Sequence, residues 1–305
     1  MTKPQVPLGQ VHGWLQDLVG REVTQPVALE GGYWSSAYAF NTPDDAWVLR
    51  LAADGEAFRI DQEAHQRFAD YLPIPEVTHL GRAFDLHYAI SRRCFGQMME
   101  TVDLRHAPQA ILALSDLLVS MRQVPTGTNT ATVWYDAAAT TGWQTYLQRH
   151  LDMPAGTAAS AEVEDVLAMG GETFLTLLPA CPERRDLIHA DLFHQNVLLG
   201  EQADTVTGIF SWKCSALGDF LYDVAWSVFW GRWYVAFADE HLAQRLLQAA
   251  DLTPAHMQGW QHRLCCYQLQ IALSHVHWYL QTGDQDWLER MLSRVRELIG
   301  QARRL

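Results

Sequence analysis

The stretch with the clearest chemical potential is residues 188–199, which read IHADLFHQNVLL. It places Asp191 and Asn196 five positions apart, in a polar loop ahead of an apolar run. A carboxylate can take the proton of an attacking hydroxyl group, and an amide oxygen can hold a magnesium ion bound to nucleotide phosphates. The spacing therefore indicates phosphoryl transfer, with Asp191 as the base and Asn196 on the metal, although the pattern alone is only moderately specific.

A second polar motif follows this loop after one more apolar run. Residues 208–226 read GIFSWKCSALGDFLYDVAW. Together the two motifs resemble the catalytic loop, the metal loop and the following helix of the aminoglycoside phosphotransferase family, and within it the members that act on hygromycin B. The segments LEGGYWSSAYAF, WVLRL, YLPIPEV and YAISRRCFG resemble that family's nucleotide loop, third strand, helix exit and hinge, in the same order. The resemblance spans roughly residues 1–235.

The resemblance implies a role for each matching residue of the two motifs. It makes Asp191 the catalytic base, Asn196 the magnesium-binding amide and His189 a residue that braces the loop. Asp219 and Asp223 would support the loop from the helix that follows. For Asp223 the alternative is an ordinary carboxylate at a helix start, where the helix dipole favours negative charge.

A glycine-containing turn in the first part of the chain is expected to meet the nucleotide. Residues 31–36 read GGYWSS between two apolar runs, so backbone N–H groups and hydroxyl groups can approach phosphates there. The predicted contacts are Gly32, Ser35 and Ser36. Because the motif alone is weak, a plain hairpin turn is the alternative.

A basic residue on the third predicted strand is expected to bind phosphate as well. Arg50 stands where kinases place a lysine, and hygromycin-type members of the family resemble this chain in having arginine there. A guanidinium group can still neutralise phosphate oxygens. Glu63, in the following helix, is its predicted ion-pair partner; Asp61 is the competing choice, and a solvated helix face is the alternative for both. The hinge residues expected to meet the adenine through backbone groups are Ser91, Arg92 and Arg93.

One position departs from the family pattern. The family has an aspartate before the tryptophan of the metal loop, whereas this chain has Ser211 before Trp212. A neutral hydroxyl group supplies neither the charge nor the bidentate geometry of a carboxylate, so we expect weaker magnesium binding. Lys213 adds positive charge to the loop and could disfavour a cation or reach a phosphate. Three explanations stay open: a pseudokinase, an active enzyme with a rearranged metal site, and a sequence altered at this position.

The elements that must position these residues change in character along the chain. Short strand-like runs occupy the first part, with one helical stretch over residues 56–71 that ends before Pro73. Beyond Gly96, amphipathic segments predict helices over residues 107–122, 161–178, 219–230, 240–249, 254–281 and 285–302. We therefore predict an α+β, protein-kinase-like fold with two lobes. A small antiparallel-sheet lobe with one helix spans residues 1–93, and a large, mainly helical lobe with the catalytic loop and the substrate site spans residues 94–305.

Composition narrows the function classes. The 305-residue chain has a formal net charge of −13, which disfavours nucleic-acid binding and favours a cationic substrate. Without an apolar run of about 20 residues or a signal-peptide pattern, we expect a cytoplasmic protein that does not contact a membrane. The five scattered cysteines form no CxxC pair for zinc or redox chemistry. The expected ligands are ATP or GTP, Mg²⁺ and a small, cationic, hydroxyl-bearing substrate, bound by a monomer.

By resemblance, the acceptor is an aminoglycoside or aminocyclitol such as hygromycin B. The candidate contacts are Asp136 for ammonium groups, and Trp230 and Trp233 for sugar stacking; a solvated charge and core packing are the alternatives. Two other functions stay open. One is a nucleotide-binding pseudokinase that acts as a sensor or partner protein, which Ser211 and Lys213 favour. The other is a kinase with a different acceptor, such as a macrolide, a choline-like amine, homoserine or a sugar.

Overall fold

The computed structural model describes residues 3–20, 22–32, 34–126, 142–149, 151, 160–250 and 252–305. The predicted substrate residue Asp136 lies outside the described residues. The described chain forms two compact units. The first consists of Met1–Ala113 and Leu192–Cys214, and the second of Leu114–Asp191 and Ser215–Leu305.

The first unit is discontinuous in sequence, which differs from the predicted boundary between residues 93 and 94. The segment Leu192–Cys214 is bonded to the first part of the chain. The Ile209 N–H donates to the Pro73 carbonyl at 3.0 Å, and the Trp212 N–H donates to Asp61 at 2.9 Å. The chain therefore crosses from the second unit to the first directly after Asp191.

An antiparallel sheet of five strands lies at the centre of the first unit. The strands are β1 Val27–Leu29, β2 Ser35–Asn41, β3 Ala46–Ala52, β4 Val77–Ala83 and β5 Leu86–Arg92, in the spatial order β1-β2-β3-β5-β4. Alternate residues of β2 and β3 pack on helix α1 (Leu8–Val19), because side chains at every second strand position share a face. This buried set includes Val11, Leu15, Tyr38, Phe40, Leu49 and Leu51. Phe84 and Asp85 both have positive φ (56° and 58°) and form the turn between β4 and β5.

Helix α2 and a smaller sheet complete the first unit. Helix α2 (Glu56–Phe68) follows β3 and ends ahead of Pro73, since proline cannot continue a helix. The smaller sheet contains β6 Gln97–Met98, β8 Val197–Leu199 and β9 Val206–Ile209, in the order β6-β8-β9. Strand β8 begins directly after Asn196, and β9 ends two residues before Ser211. This sheet thus positions both predicted metal ligands.

The second unit is mainly helical. Its helices are α4 Trp143–Arg149, α5 Ala161–Leu177, α6 Leu221–Gly231, α7 Leu242–Ala249, α8 Pro254–Met257, α9 Trp260–Thr282 and α10 Gln285–Ala302, while α3 Ala107–Gln123 contains the boundary between the units. Strands β7 Asp186–Ile188 and β10 Ala216–Gly218 pair antiparallel on either side of the catalytic and metal loops in sequence. The sheet and the helices confirm the predicted α+β class.

One predicted helix is wrong in its extent. The helix expected over residues 254–281 is divided into α8 and α9, because Gly259 adopts a left-handed backbone with φ 60°. The Thr253 side chain caps α8 by accepting the His256 N–H, with Pro254 in the first turn. Among the described residues, no helix combines the length and the apolar character needed to cross a membrane.

Candidate active site

In the first unit, Arg50 of β3 is held by an acid on helix α2. The Nη1 atom of Arg50 lies 2.7 Å from Oδ2 of Asp61, whose side chain is buried. The other oxygen of Asp61 accepts the backbone N–H of Trp212 at 2.9 Å. One buried carboxylate thus fixes both the guanidinium group predicted to bind phosphate and the loop that follows Ser211.

The prediction that Glu63 is the partner of Arg50 is wrong, and the competing choice, Asp61, is correct. Glu63 instead pairs with Arg59, four residues earlier on the same helix, where both side chains are partly exposed. Helix periodicity explains the difference. Asp61 follows the buried Phe58 by three residues and shares its face, whereas a residue two positions further along points elsewhere.

In the glycine turn, both polar atoms of one peptide group are hydrogen-bonded to side chains. Gly31 and Gly32 have φ values of 106° and 65°, a region that glycine adopts readily. The Gly31 carbonyl accepts a hydrogen bond from Nζ of Lys3, and the Gly32 N–H donates to Oε1 of Gln195 at 3.2 Å. Two side chains that no sequence motif singles out, Lys3 and Gln195, therefore order the turn predicted to meet phosphates.

Of the two serines predicted to bind phosphate, one already donates its proton within the protein. Ser36 is buried, and its hydroxyl group donates to the Pro4 carbonyl. A hydroxyl group has one proton to donate, so phosphate would have to displace this bond, and phosphate binding by Ser36 stays a prediction. Ser35, at the start of β2, is half-buried and stays a predicted phosphate contact.

The hinge backbone is partly occupied as well. Ser91 is buried within β5. The Arg92 N–H donates to the Glu76 carbonyl at 2.9 Å, and the Arg93 N–H donates to the Ala46 carbonyl at 3.0 Å. The neighbouring chain segments already use these two N–H groups, and the contact of the hinge backbone with the adenine stays a prediction.

The metal loop begins in a left-handed conformation. Ser211 has φ 65°. Two residues further on, Nζ of Lys213 lies 2.8 Å from Glu56 and 3.6 Å from Asp54, at the start of α2. The hydrogen bond to Glu56 raises the pKa of Lys213, and the backbone N–H of Glu56 is the main cause that lowers the pKa of Asp54. The positive charge of Lys213 is thus directed at two acids of its own unit.

The two predicted metal ligands are an amide and a hydroxyl group. The Asn196 carbonyl accepts the Phe210 N–H at 2.9 Å, which ties the loop of Asn196 to the residue directly before Ser211. Within the described part of the chain, no three His, Cys, Asp or Glu side chains are grouped so as to hold a metal ion. Because magnesium in proteins is usually held by one or two carboxylates together with phosphates, the neutral pair of Asn196 and Ser211 does not fit a protein-held magnesium ion.

In the second unit, one buried acid anchors the residues ahead of Asp191. The Asp223 carboxylate accepts the backbone N–H groups of His189 at 2.7 Å and Ala190 at 2.8 Å. Burial raises the pKa of Asp223 to about 7; the two N–H groups oppose this shift, and the charge of Asp191 adds to it. The anchoring contact implied by the resemblance is present, and it fixes the backbone that leads into Asp191.

Asp219 is a second buried anchor of the same region. Its carboxylate accepts hydrogen bonds from Nε and Nη2 of Arg263 at 2.8 and 2.7 Å, and from the Tyr267 hydroxyl group at 2.8 Å. Burial raises the pKa of Asp219, although the charge of Arg263 opposes the shift. No sequence motif indicates Arg263 or Tyr267. An arginine inside the apolar run of α9 is nevertheless a usable signal, because a buried guanidinium group needs an acid.

Aromatic side chains form a cluster in the second unit. Its members are Trp226, Phe229, Trp230, Trp233, His275, Tyr279 and Trp287. Trp230 is 1% exposed, so the prediction that it stacks on a substrate is wrong, and it belongs to the core. Trp233 and Trp287 are partly exposed, with ring centroids 5.4 Å apart, and Tyr279 stacks on Trp287 at 5.9 Å. Tyr279 and Trp287 join Trp233 as candidate sugar contacts.

Comparison with known proteins identifies relatives of this chain. Residues 26–263 match the model of APH, the phosphotransferase enzyme family. Hygromycin-B 4-O-kinase of Escherichia coli is 25% identical over 308 residues, which cover 94% of this chain and 83% of the relative.

Solved structures of aminoglycoside phosphotransferases share the fold. The crystal structure of APH(4)-Ia matches with a TM-score of 0.81 at 23% identity, covering 97% of this chain and 99% of that chain. A thermostable mutant of APH(4)-Ia in ternary complex with AMP-PNP and hygromycin B gives a TM-score of 0.80 at 23% identity, over 96% and 98% of the two chains. The GDP complex of aminoglycoside 2′-phosphotransferase-IIIa gives 0.68 at 16% identity, over 97% and 99%. The predicted kinase-like fold is confirmed.

Proposed function

This chain belongs to the APH phosphotransferase enzyme family, and on that premise we propose that it transfers the γ-phosphoryl group of a nucleoside triphosphate to a hydroxyl group of a small molecule. The observation that carries the proposal is the Asp223 carboxylate, which holds the two N–H groups directly ahead of Asp191. A base must lie in hydrogen-bond reach of the hydroxyl proton that it accepts, so a fixed backbone favours this role for Asp191.

The first unit supplies the groups for the nucleotide in this proposal. Arg50, held by Asp61, neutralises phosphate oxygens, and Ser35 and the Gly32 N–H are further donors. ATP and GTP are both candidate donors, since APH(4)-Ia is solved with AMP-PNP and the 2′-phosphotransferase with GDP. Because Asn196 and Ser211 are neutral, we propose that magnesium affinity is low and that it limits turnover.

For the acceptor we propose an aminoglycoside or aminocyclitol, with hygromycin B as the first compound to try. The kinship with Hygromycin-B 4-O-kinase supports this choice. The net charge of −13 favours a polycationic ligand, and the partly exposed rings of Trp233, Tyr279 and Trp287 offer surfaces on which a sugar can stack.

A second candidate function is a nucleotide-binding pseudokinase. The specific observation that favours it is Ser211, which replaces the family's aspartate by a neutral group. In that case the protein binds a nucleotide but transfers phosphate slowly or not at all.

Turnover of ATP and of GTP by the purified protein tests the proposal. Each nucleotide is supplied with Mg²⁺, with and without hygromycin B, and phosphorylated product is detected by mass spectrometry. Asp191→Asn is the matched inactive control, and Ser211→Asp restores the carboxylate. Product from the unaltered chain that is absent with Asp191→Asn supports a kinase.

Three other results would redirect the assignment. Nucleotide binding without turnover, rescued by Ser211→Asp, would identify a kinase scaffold that is inactive for want of one ligand. Nucleotide binding that Ser211→Asp leaves without turnover favours the pseudokinase. Equal turnover by the unaltered chain and Asp191→Asn would refute the role of Asp191.

A further inference from the structure

In the first unit, side chains hydrogen-bond to both polar atoms of the peptide group between Gly31 and Gly32. Its carbonyl accepts Nζ of Lys3, and its N–H donates to Oε1 of Gln195 at 3.2 Å. A Cβ atom on Gly31 would lie 1.9 Å from that same Oε1, so the turn and the Gln195 side chain are in direct contact.

The backbone of Gln195 is itself fixed by a hydrogen bond. It has a positive φ of 67°, and its N–H donates to Oε1 of Glu100 at 2.6 Å. The residue therefore presents its side chain to the turn from a fixed position. It directly precedes Asn196 in the chain, so the catalytic loop and the glycine turn are joined by this one side chain.

The Gln195 oxygen accepts a hydrogen bond from a backbone N–H of the kind that binds phosphate oxygens. Backbone N–H groups of glycine turns bind phosphate oxygens, and the amide oxygen of Gln195 is a neutral acceptor on such an N–H. A phosphate oxygen is the stronger acceptor because hydrogen bonds to charged groups are shorter and roughly twice as strong. A nucleotide phosphate could therefore replace the Gln195 oxygen, but it would do so against an existing bond.

We propose that Gln195 competes with the nucleotide phosphates and so lowers nucleotide affinity: its Oε1 occupies the Gly32 N–H, and phosphate must displace it to bind. The inference rests on the proposed nucleotide-binding function of the turn. It predicts opposite effects for two substitutions. Removing the acceptor frees the N–H for phosphate, whereas a carboxylate at the same place holds the N–H more firmly and repels phosphate.

Equilibrium binding to Gln195→Ala and Gln195→Glu tests this inference. Dissociation constants are measured with Mg²⁺ for AMP-PNP and GMP-PNP, and for adenosine and guanosine, which carry no phosphate. We expect Gln195→Ala to bind the triphosphate analogues about threefold to tenfold more tightly than the unaltered chain, as one competing hydrogen bond is lost. Gln195→Glu should bind them more weakly, and nucleoside binding should not change in either variant.

Gln97→Ala is the control. Gln97 donates to the backbone carbonyl of Glu201 at 3.2 Å, away from the turn, so its loss should leave every dissociation constant unchanged. Melting temperatures of all variants show whether folding is retained. Binding of the analogues by the unaltered chain, with equal or weaker binding by Gln195→Ala, would overturn the inference alone. Parallel shifts for nucleosides and analogues would also overturn it. No binding of any ligand by any variant would overturn the proposed function and this inference together.

Discussion

The Trp212 N–H donates to the Asp61 carboxylate at 2.9 Å, which joins the middle of helix α2 to the residue directly after Ser211. The other oxygen of Asp61 accepts Nη1 of Arg50 at 2.7 Å. The predicted phosphate-binding guanidinium group and the metal loop therefore share one buried acid. A change at Asp61 should affect both at once.

Asp61→Asn should be destabilising and should impair nucleotide binding. The amide keeps an oxygen acceptor but leaves Arg50, which is mostly buried, without its counter-charge. Breaking a buried ion pair on one side costs about 3–5 kcal/mol, and the partial exposure of Arg50 lowers our expectation to about 2–3 kcal/mol. Urea denaturation gives the free energy of unfolding, and titration with a nucleotide analogue gives the affinity.

Glu63→Gln is the matched control for this change, two residues away on the same helix. Its pair with Arg59 is exposed and spaced i, i+4, so its loss should change the free energy of unfolding by no more than about 0.5 kcal/mol. If both variants lost the same stability, the assignment of Asp61 as the partner would be refuted.

Ser211→Asp should fold as well as the unaltered chain. The left-handed backbone at this position, with φ 65°, is one that Asp tolerates better than most residues. We expect a free energy of unfolding within about 0.5 kcal/mol of the original, since no buried contact is lost. Magnesium-dependent turnover should rise, because the loop regains a charged ligand.

Ser211→Ala separates the hydroxyl group from the charge. It removes the only side-chain oxygen at this position, so its turnover should be equal to or below that of the unaltered chain. Turnover rates across a magnesium titration compare the three proteins. A rate for Ser211→Ala that matches Ser211→Asp would show that the serine blocks the site by some other means than a missing charge.

Local signals were sufficient for most of the fold. Apolar spacing predicts α10 with its observed bounds, Gln285–Ala302. The break before α9 escapes such reasoning, because a glycine within an apolar pattern is compatible with a continuous helix until its φ is known.

The motifs single out candidate site residues, but they give no sign of contacts that depend on a partner distant in sequence. The anchoring contact of Asp223 follows from the family resemblance and is observed, while the roles of Asp191 and Asn196 stay predictions. The hydroxyl group of Ser36 is used by Pro4, and the Gly32 N–H by Gln195, 163 residues away in sequence. Neither contact has a local signature. Asp61 did have one, since it continues the buried face that Phe58 begins.

The stability of the chain should depend on the titration of Asp223. Burial raises its pKa to about 7 in the folded protein, whereas the pKa of an exposed aspartate is about 4. The stabilising contribution of proton uptake is therefore complete below about pH 4 and is lost as pH rises through about 7. We expect the free energy of unfolding of the unaltered chain to fall over this range relative to Asp223→Asn, measured by denaturation at each pH. A constant difference between the two proteins would contradict the raised pKa.

Ionisation of Asp223 should also change the rate of phosphoryl transfer. It should raise this rate, whereas it lowers the free energy of unfolding. Ionised Asp223 offers an acceptor oxygen to each of the His189 and Ala190 N–H groups, while the protonated form must use one oxygen as a donor. We expect kcat to rise with pH through about 7, as the anchor gains its second acceptor. Measurements of kcat across this pH range at constant ionic strength test the expected rise. If Asp223→Asn showed the same rise, the titrating group would be another residue.

Substitutions at Trp233 and Trp230 should have different effects, the first on substrate binding and the second on core packing. Trp233 is partly exposed beside Trp287, so Trp233→Ala should raise the KM for the acceptor about threefold to tenfold, the loss expected for one aromatic contact, with the nucleotide KM unchanged. Trp230 is buried, and Trp230→Ala should cost about 3–5 kcal/mol of stability. Steady-state kinetics with hygromycin B and thermal denaturation measure the two effects. An unchanged acceptor KM in Trp233→Ala would remove this cluster from the acceptor site and leave it as part of the core.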